Sequence, residues 1–232
     1  MKVLLIIPAY NEEKNILKTC KKIEEHSKKY DYIIINDGSK DKTGDICKKN
    51  KLPCINLIHN LGIGGAVQTG YKYAYENDYD IAIQFDGDGQ HDIRYVDTLI
   101  KPIELGQTDF VIGSRFVKKL SKFKSTGVRR MGINLISFFI KIFTGRKIHD
   151  TTSGFRAVNK KIIKEFSMNY PTEYPEPVST TTLLKMGYRV DEVPVEMNER
   201  EAGVSSIRAW KNIYYMINVI LSICIVSIRR YK

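Results

Sequence analysis

Short apolar runs alternate with amphipathic stretches through the first half of the chain. The runs are residues 3–7, 32–35, 54–58 and 81–85, and each stops at a polar turn. Continuous apolar runs of this length predict strands buried on both faces, as in a parallel sheet. Between them the apolar positions recur at helical spacing. Ile16, Leu17, Cys20 and Ile23 would share the inner face of a helix that Asn11 can cap. Ser39 or Asp41 would open a second helix ending near Asn50. A third would follow residues 60–66 and end near Glu76, and a fourth would run from about Tyr95 to Leu105, ahead of a strand at 110–112. The alternation predicts an α/β fold, a mostly parallel sheet with helices on both faces. Such sheets bind ligands at the carboxyl ends of their strands.

The second half is less regular. Lys118, Lys119, Lys122, Lys124, Arg129 and Arg130 crowd the approach to an apolar segment, 131–143. That segment reads either as a core helix after a solvated loop or as an interfacial helix with basic residues at lipid headgroups. Prolines break 170–177, a helix is expected over 178–186 and a strand over 190–195. A polar loop, 198–206, holds Arg200. The tail is apolar from 213 to 228 and ends in Arg229, Arg230 and Lys232. It falls short of the roughly 20 apolar residues of a membrane span. It would insert partly, lie in the interface or face a partner, either a small membrane protein or a second copy. Its basic end favours a cytoplasmic membrane surface. The chain divides at this stage into a body, 1–206, and a membrane-associated C-terminal helix, 207–232.

Charge sharpens this picture. The 232 residues carry a formal net charge of +11, which implies an anionic partner. No zinc-finger spacing or RNA-stacking motif points to nucleic acid, so membrane surfaces and phosphorylated substrates are the expected partners. Cys20, Cys47, Cys54 and Cys224 have no paired spacing and read as free thiols in a reducing compartment.

The chemistry concentrates at residues 86–91, DGDGQH, directly after an apolar run. Asp86, Asp88 and Gln90 set oxygen donors on a sharp turn, a set that suits Mg²⁺ or Mn²⁺ bound together with phosphate. The alternative is an ordinary acidic turn in which Asp88 or Asp92 caps the next helix. Polar turns also close the first two strands, at Tyr10-Asn11-Glu12 and Asp37-Gly38-Ser39. Three such ends suggest a nucleotide-type site. The glycines at 62–65 lack a full phosphate-loop or dinucleotide pattern and read first as a helix start. Arg156 has the donor fork for a phosphate oxygen, although a surface ion pair is the plainer reading.

The motifs IIPAYNEE (6–13), INDGSKD (35–41), NLGIGGA (60–66), QFDGDGQH (84–91), GSR (113–115), DTTSGFRA (150–157) and EVPVEMNEREAGVSS (192–206) occur in one order. Together they resemble the inverting family 2 glycosyltransferases of GT-A fold, in the branch of dolichyl- and undecaprenyl-phosphate sugar transferases. The resemblance implies a UDP- or GDP-sugar donor bound by Pro8, Tyr10, Asn11, Glu12, Asp37, Gly64 and Asp86. It implies metal binding by Asp86, Asp88 and Gln90, and acceptor contacts from Arg115, Arg129 or Arg130, Ser153 and Arg156. Asp88, Arg115, Asp150 and the loop residue Arg200 are the implied catalytic set. The expected reaction is sugar transfer to a polyprenyl phosphate, with a glycan-elongating transferase acting on a sugar hydroxyl as the alternative. In that alternative Asp150 or Glu176 would serve as base.

Overall fold

The computed structural model describes residues 1–26, 29–117, 127–197 and 209–231. One sheet of seven strands holds the chain together: β1 (Val3–Ala9), β2 (Asp31–Asn36), β3 (Cys54–Asn56), β4 (Ile81–Gln84), β5 (Phe110–Ser114), β6 (Arg156–Asn159) and β7 (Val190–Pro194). Their spatial order is β3-β2-β1-β4-β6-β5-β7. All pairings are parallel except those of β6, which runs antiparallel to β4 and to β5.

β1 shows why the apolar runs form central strands. All seven of its residues are buried. Leu4 and Ile6 pack on one face, while Val3, Leu5 and Ile7 pack on the other. Helices α1 (Ile16–His26), α2 (Thr43–Lys49) and α4 (Val96–Glu104) accompany the second face. Against the first lie α3 (Gly62–Glu76), α5 (Gly127–Thr144), α6 (Lys160–Met168), α7 (Pro175–Lys185) and α8 (Ala209–Ile228).

Three elements differ from the sequence reading. β6 and α6 had no pattern to announce them, because RAVN is four residues long and starts and ends on polar side chains. α6 then follows without a gap, its first turn capped by Asn159 Oδ1 accepting from Ile162 N at 3.1 Å. α7 begins three residues earlier than expected. Its prolines sit in the first turn, where the missing N–H would have had no partner. Tyr174 precedes them at φ 50°.

The tail, read as a partly inserted, interfacial or partner-facing helix, is α8, and one side of it packs on the body: Val219 and Ile223 are buried in the same cluster as Ile136, Ile140 and Leu183. Its other side stays open: Tyr214, Ile217, Leu221, Ile225 and Ile228 are exposed, as are Met131, Leu135, Phe138 and Ile142 on α5. Among the described residues no helix is long and apolar enough to cross a membrane.

Candidate active site

β1 pairs with both β2 and β4, so the turns after these three strands lie side by side. The first two turns are joined reciprocally. Asn11 N donates to Ser39 Oγ at 3.0 Å, and Lys40 N donates to Asn11 Oδ1 at 2.8 Å. Glu13 N donates to Asp41 Oδ2 and Lys42 N to Glu13 Oε2, both at 3.0 Å. Asn11 is therefore not the cap of α1. Its side chain serves the neighbouring turn, and its backbone takes φ 57°. Glu12 N donates to Thr43 Oγ1 at 2.9 Å. Asp37 is buried, and its Oδ1 accepts from Leu61 N at 2.7 Å, tying the end of β2 to the start of α3. Pro8 lies within β1 opposite Ile35, and Tyr10 is exposed at the rim. Gly64 packs rather than cradles: a Cβ there would lie 2.4 Å from Thr172 O and 2.5 Å from Pro171 O.

After β4 the chain turns through Asp86 to His91. Asp88 Oδ1 accepts from Gln90 N at 3.0 Å, and Gly89 takes φ 78°. Of the two aspartates offered as helix caps, Asp92 does the capping, accepting from Arg94 N at 3.0 Å. His91 lies beneath the turn. Its Nδ1 accepts from Asp86 N at 2.9 Å, and its Nε2 faces Asp86 Oδ2 at 3.4 Å. The ring stacks on Phe155 with centroids 4.6 Å apart and meets the edge of Phe85. Burial pushes the imidazole down to about 4, so the ring is neutral near pH 7. Sequence reasoning passed over His91, whose one signal was its place directly after DGDGQ.

Asp86 presents a partly exposed carboxylate and Asp88 a nearly buried one. Among the described residues no three His, Cys, Asp or Glu side chains gather into a complete metal cage. Two carboxylates with the Gln90 amide fit a hard cation that completes its shell with phosphate oxygens and water. That is how Mg²⁺ and Mn²⁺ bind nucleotides, rather than in all-protein sites.

The loop before β6 closes the site from the other side. Asp150 is fully buried and clamps Arg115: Oδ2 accepts from Nε at 2.7 Å and from the backbone N at 3.0 Å, while Oδ1 accepts from Nη2 at 2.7 Å. Arg115 Nη2 also reaches Thr152 Oγ1 at 3.1 Å. Glu192 on β7 holds the loop in turn, accepting from His149 N at 2.7 Å and Asp150 N at 2.8 Å. In this setting Asp150 orients Arg115 and does not stand at the open rim. Ser153 Oγ donates to Gly113 O at 2.6 Å. Arg156 is buried, not a surface ion pair. It donates to Ser153 O at 2.6 Å, Glu176 O at 2.8 Å and Ser179 Oγ at 3.0 Å. Burial pushes the Glu176 carboxyl up, and the Arg156 charge opposes that shift.

Phe116, which sequence reasoning also missed, gathers two cations. Arg130 Cζ lies 3.9 Å and Arg115 Cζ 5.3 Å from its ring centroid. Among the described residues Arg130 Nη1 is buried with no hydrogen-bond partner. The Arg129 side chain and the whole of Arg200 lie outside the described residues.

Residues 4–167 match the family model described as Glycosyl transferase family 2. The chain is 36% identical over 215 residues to the UDP-N-acetylglucosamine–dolichyl-phosphate N-acetylglucosaminyltransferase of Methanococcus voltae, with 84% of each chain covered. It is 29% identical over 215 residues to the undecaprenyl-phosphate mannosyltransferase of Micrococcus luteus, with 89% of this chain and 88% of that one covered. A solved structure of glucosyl-3-phosphoglycerate synthase from Mycobacterium tuberculosis, in complex with Mn²⁺, UDP-glucose and phosphoglyceric acid, matches with a TM-score of 0.72. It covers all of this chain and 81% of that one at 15% identity, a likeness of fold. With its metal-type turn at the joined ends of three parallel strands, the chain belongs to glycosyltransferase family 2.

Proposed function

We propose that this chain moves a sugar from a UDP- or GDP-sugar to a polyprenyl phosphate, undecaprenyl or dolichyl, at the cytoplasmic face of a membrane. The observation that carries the reading is the pairing of the DGDGQ turn with two guanidinium groups gathered on Phe116. The lipid-phosphate acceptors named for the Methanococcus and Micrococcus relatives support it.

In this reading Asn11, Glu12 and Asp37 form the nucleotide cradle, with Pro8 and Tyr10 at its edge and Gly64 holding α3 in place. Asp86, Asp88 and Gln90 would hold a Mg²⁺ or Mn²⁺ ion, which would supply Lewis-acid neutralisation of the leaving diphosphate. His91 keeps Asp86 aimed from below. The acceptor phosphate is already an anion, so it attacks the anomeric carbon without a strong general base. Arg130 orients that phosphate through its unpartnered nitrogen, and Arg115, fixed by Asp150, adds preorganised positive charge. Ser153 and Arg156 shape the loop from within, while Arg129 and Arg200 are further cations for the acceptor side. The exposed apolar faces of α5 and α8, with exposed Arg229 and Arg230 at the end of α8, suit an anionic membrane surface.

The test supplies undecaprenyl phosphate, Mn²⁺ and radiolabelled UDP-glucose, UDP-N-acetylglucosamine or GDP-mannose. The expected outcome is chloroform-soluble label that mild acid releases. Label found only in an alkali-stable glycan would contradict the reading and point to a hydroxyl acceptor.

A further inference from the structure

Gln84 and Arg156 face each other across the β4–β6 ladder, the antiparallel pairing that brings the second half of the sheet against the first. Each is 1% exposed. Each also carries a polar atom with no hydrogen-bond partner among the described residues, the acceptor Gln84 Oε1 and the donor Arg156 Nη2. Buried polar atoms are nearly always bonded, so an orphan acceptor and an orphan donor on two paired residues call for an occupant.

Their surroundings say where that occupant sits. A Cβ at Gly154 would lie 3.0 Å from Gln84 Nε2 and 3.2 Å from Asp86 Oδ2, so the Gln84 amide and the metal-type carboxylate converge on one glycine. Glu176, at the start of α7, lies in the same cluster: its backbone oxygen accepts from Arg156 Nη1 at 2.8 Å, and its carboxyl feels the charges of Arg156 and Asp86. The cluster therefore lies next to the place proposed for the donor diphosphate.

The chemistry of the two atoms then selects among the parts of the substrates. A phosphate accepts hydrogen bonds only; it would suit Arg156 but be repelled by Gln84 Oε1 and the Glu176 carboxyl. A polyprenyl chain satisfies neither atom. A sugar hydroxyl donates and accepts at once, so one hydroxyl or a neighbouring pair satisfies both. We propose that Gln84, Arg156 and Glu176 form the pocket that reads the hydroxyl groups of the donor sugar, Gln84 Oε1 accepting from them and Arg156 Nη2 donating to them. This rests on the nucleotide-sugar reading given above and names the residues that set sugar selectivity within it. The pocket works against substrates whose hydroxyls are missing or turned the other way, because both buried atoms then stay unmade.

The experiment measures calorimetric affinities, with Mn²⁺ present, for UDP, GDP, UDP-glucose, UDP-N-acetylglucosamine and GDP-mannose. The proteins are wild type, Gln84→Met and the isosteric Glu176→Gln, each checked for an unchanged melting temperature. For a donor sugar that wild type binds, both variants should lose about tenfold in affinity or more, as expected for a buried bond to a charged or polar partner. Affinity for the free nucleotide should stay within about twofold. Equal loss for nucleotide and nucleotide-sugar, or no loss for either, would overturn the pocket and leave the donor reading standing. Wild-type protein that binds none of the five ligands would contradict the donor reading itself, and the pocket with it.

Discussion

Strands β3-β2-β1-β4 and strands β6-β5-β7 are two parts of one sheet, and they are held by different forces. The first part is apolar: β1 is buried along its whole length, and its loops are joined by bonds between side chains and the neighbouring backbone. The second part is pinned by carboxylates. Asp150 clamps Arg115 at the site end. At the opposite end Asp109 accepts from Arg189 Nε and Nη2, both at 3.0 Å, and from Asn159 Nδ2 at 2.9 Å, linking β5, β6 and β7. Losing one loop hydrogen bond at the exposed rim costs little, whereas a buried ion pair fails when one partner goes. The loops of the first part should therefore yield gradually under substitution where the second part breaks.

Asp88→Ala should lower turnover on the order of a thousandfold, because transition-state charge loses its metal, with the melting temperature nearly unchanged. Radiolabel transfer and calorimetry read both effects. Asp150→Asn leaves Arg115 buried without its counter-charge, and the expected loss is about 3–5 kcal/mol. That corresponds to a fall in melting temperature of roughly 10 °C for a chain of this size. Asn11→Ala removes one bond between the loops after β1 and β2 and should cost about 1 kcal/mol, or a few degrees. If Asn11→Ala proved as damaging as Asp150→Asn, the contrast between the halves would fall.

The last prediction concerns pH. Hydrogen bonds from Arg189 hold the Asp109 carboxyl below its ordinary value of 3.8. A carboxyl depressed in the folded chain stabilises it fully above the unfolded pKa and loses that contribution as pH falls below it. Melting temperature should thus drop between pH 4 and the lower folded value, and Asp109→Asn should flatten that part of the profile. An unaltered acid slope in the variant would remove Asp109 from the set of pins.

The same difference explains what the sequence made legible. Runs such as 3–7 and 81–83 announce buried strands because burial on both faces favours continuous apolar residues. The DGDGQ turn announces itself because its glycines and carboxylates are adjacent in sequence. β6 and α6 were silent: Arg156 is a charged residue at a strand start, and its partners Glu176 and Ser179 lie 20 and 23 residues away. The Asp150–Arg115 clamp spans 35 residues. No local pattern encodes such a pair, so Asp150 read as a candidate base and not as an anchor. His91 and Phe116 sat beside recognised motifs, but their roles come from ring contacts that only the fold creates.

The Asp86–Gln90 turn is expected to hold a divalent cation only together with a nucleotide diphosphate. Mn²⁺ binding followed by electron paramagnetic resonance, with and without UDP or GDP, tests it most directly. The account predicts weak Mn²⁺ binding alone, strong binding once one of the two nucleotides is added, and loss of that gain in Asp88→Asn. Nucleotide binding that is equally tight without metal, or a gain that survives Asp88→Asn, would contradict it.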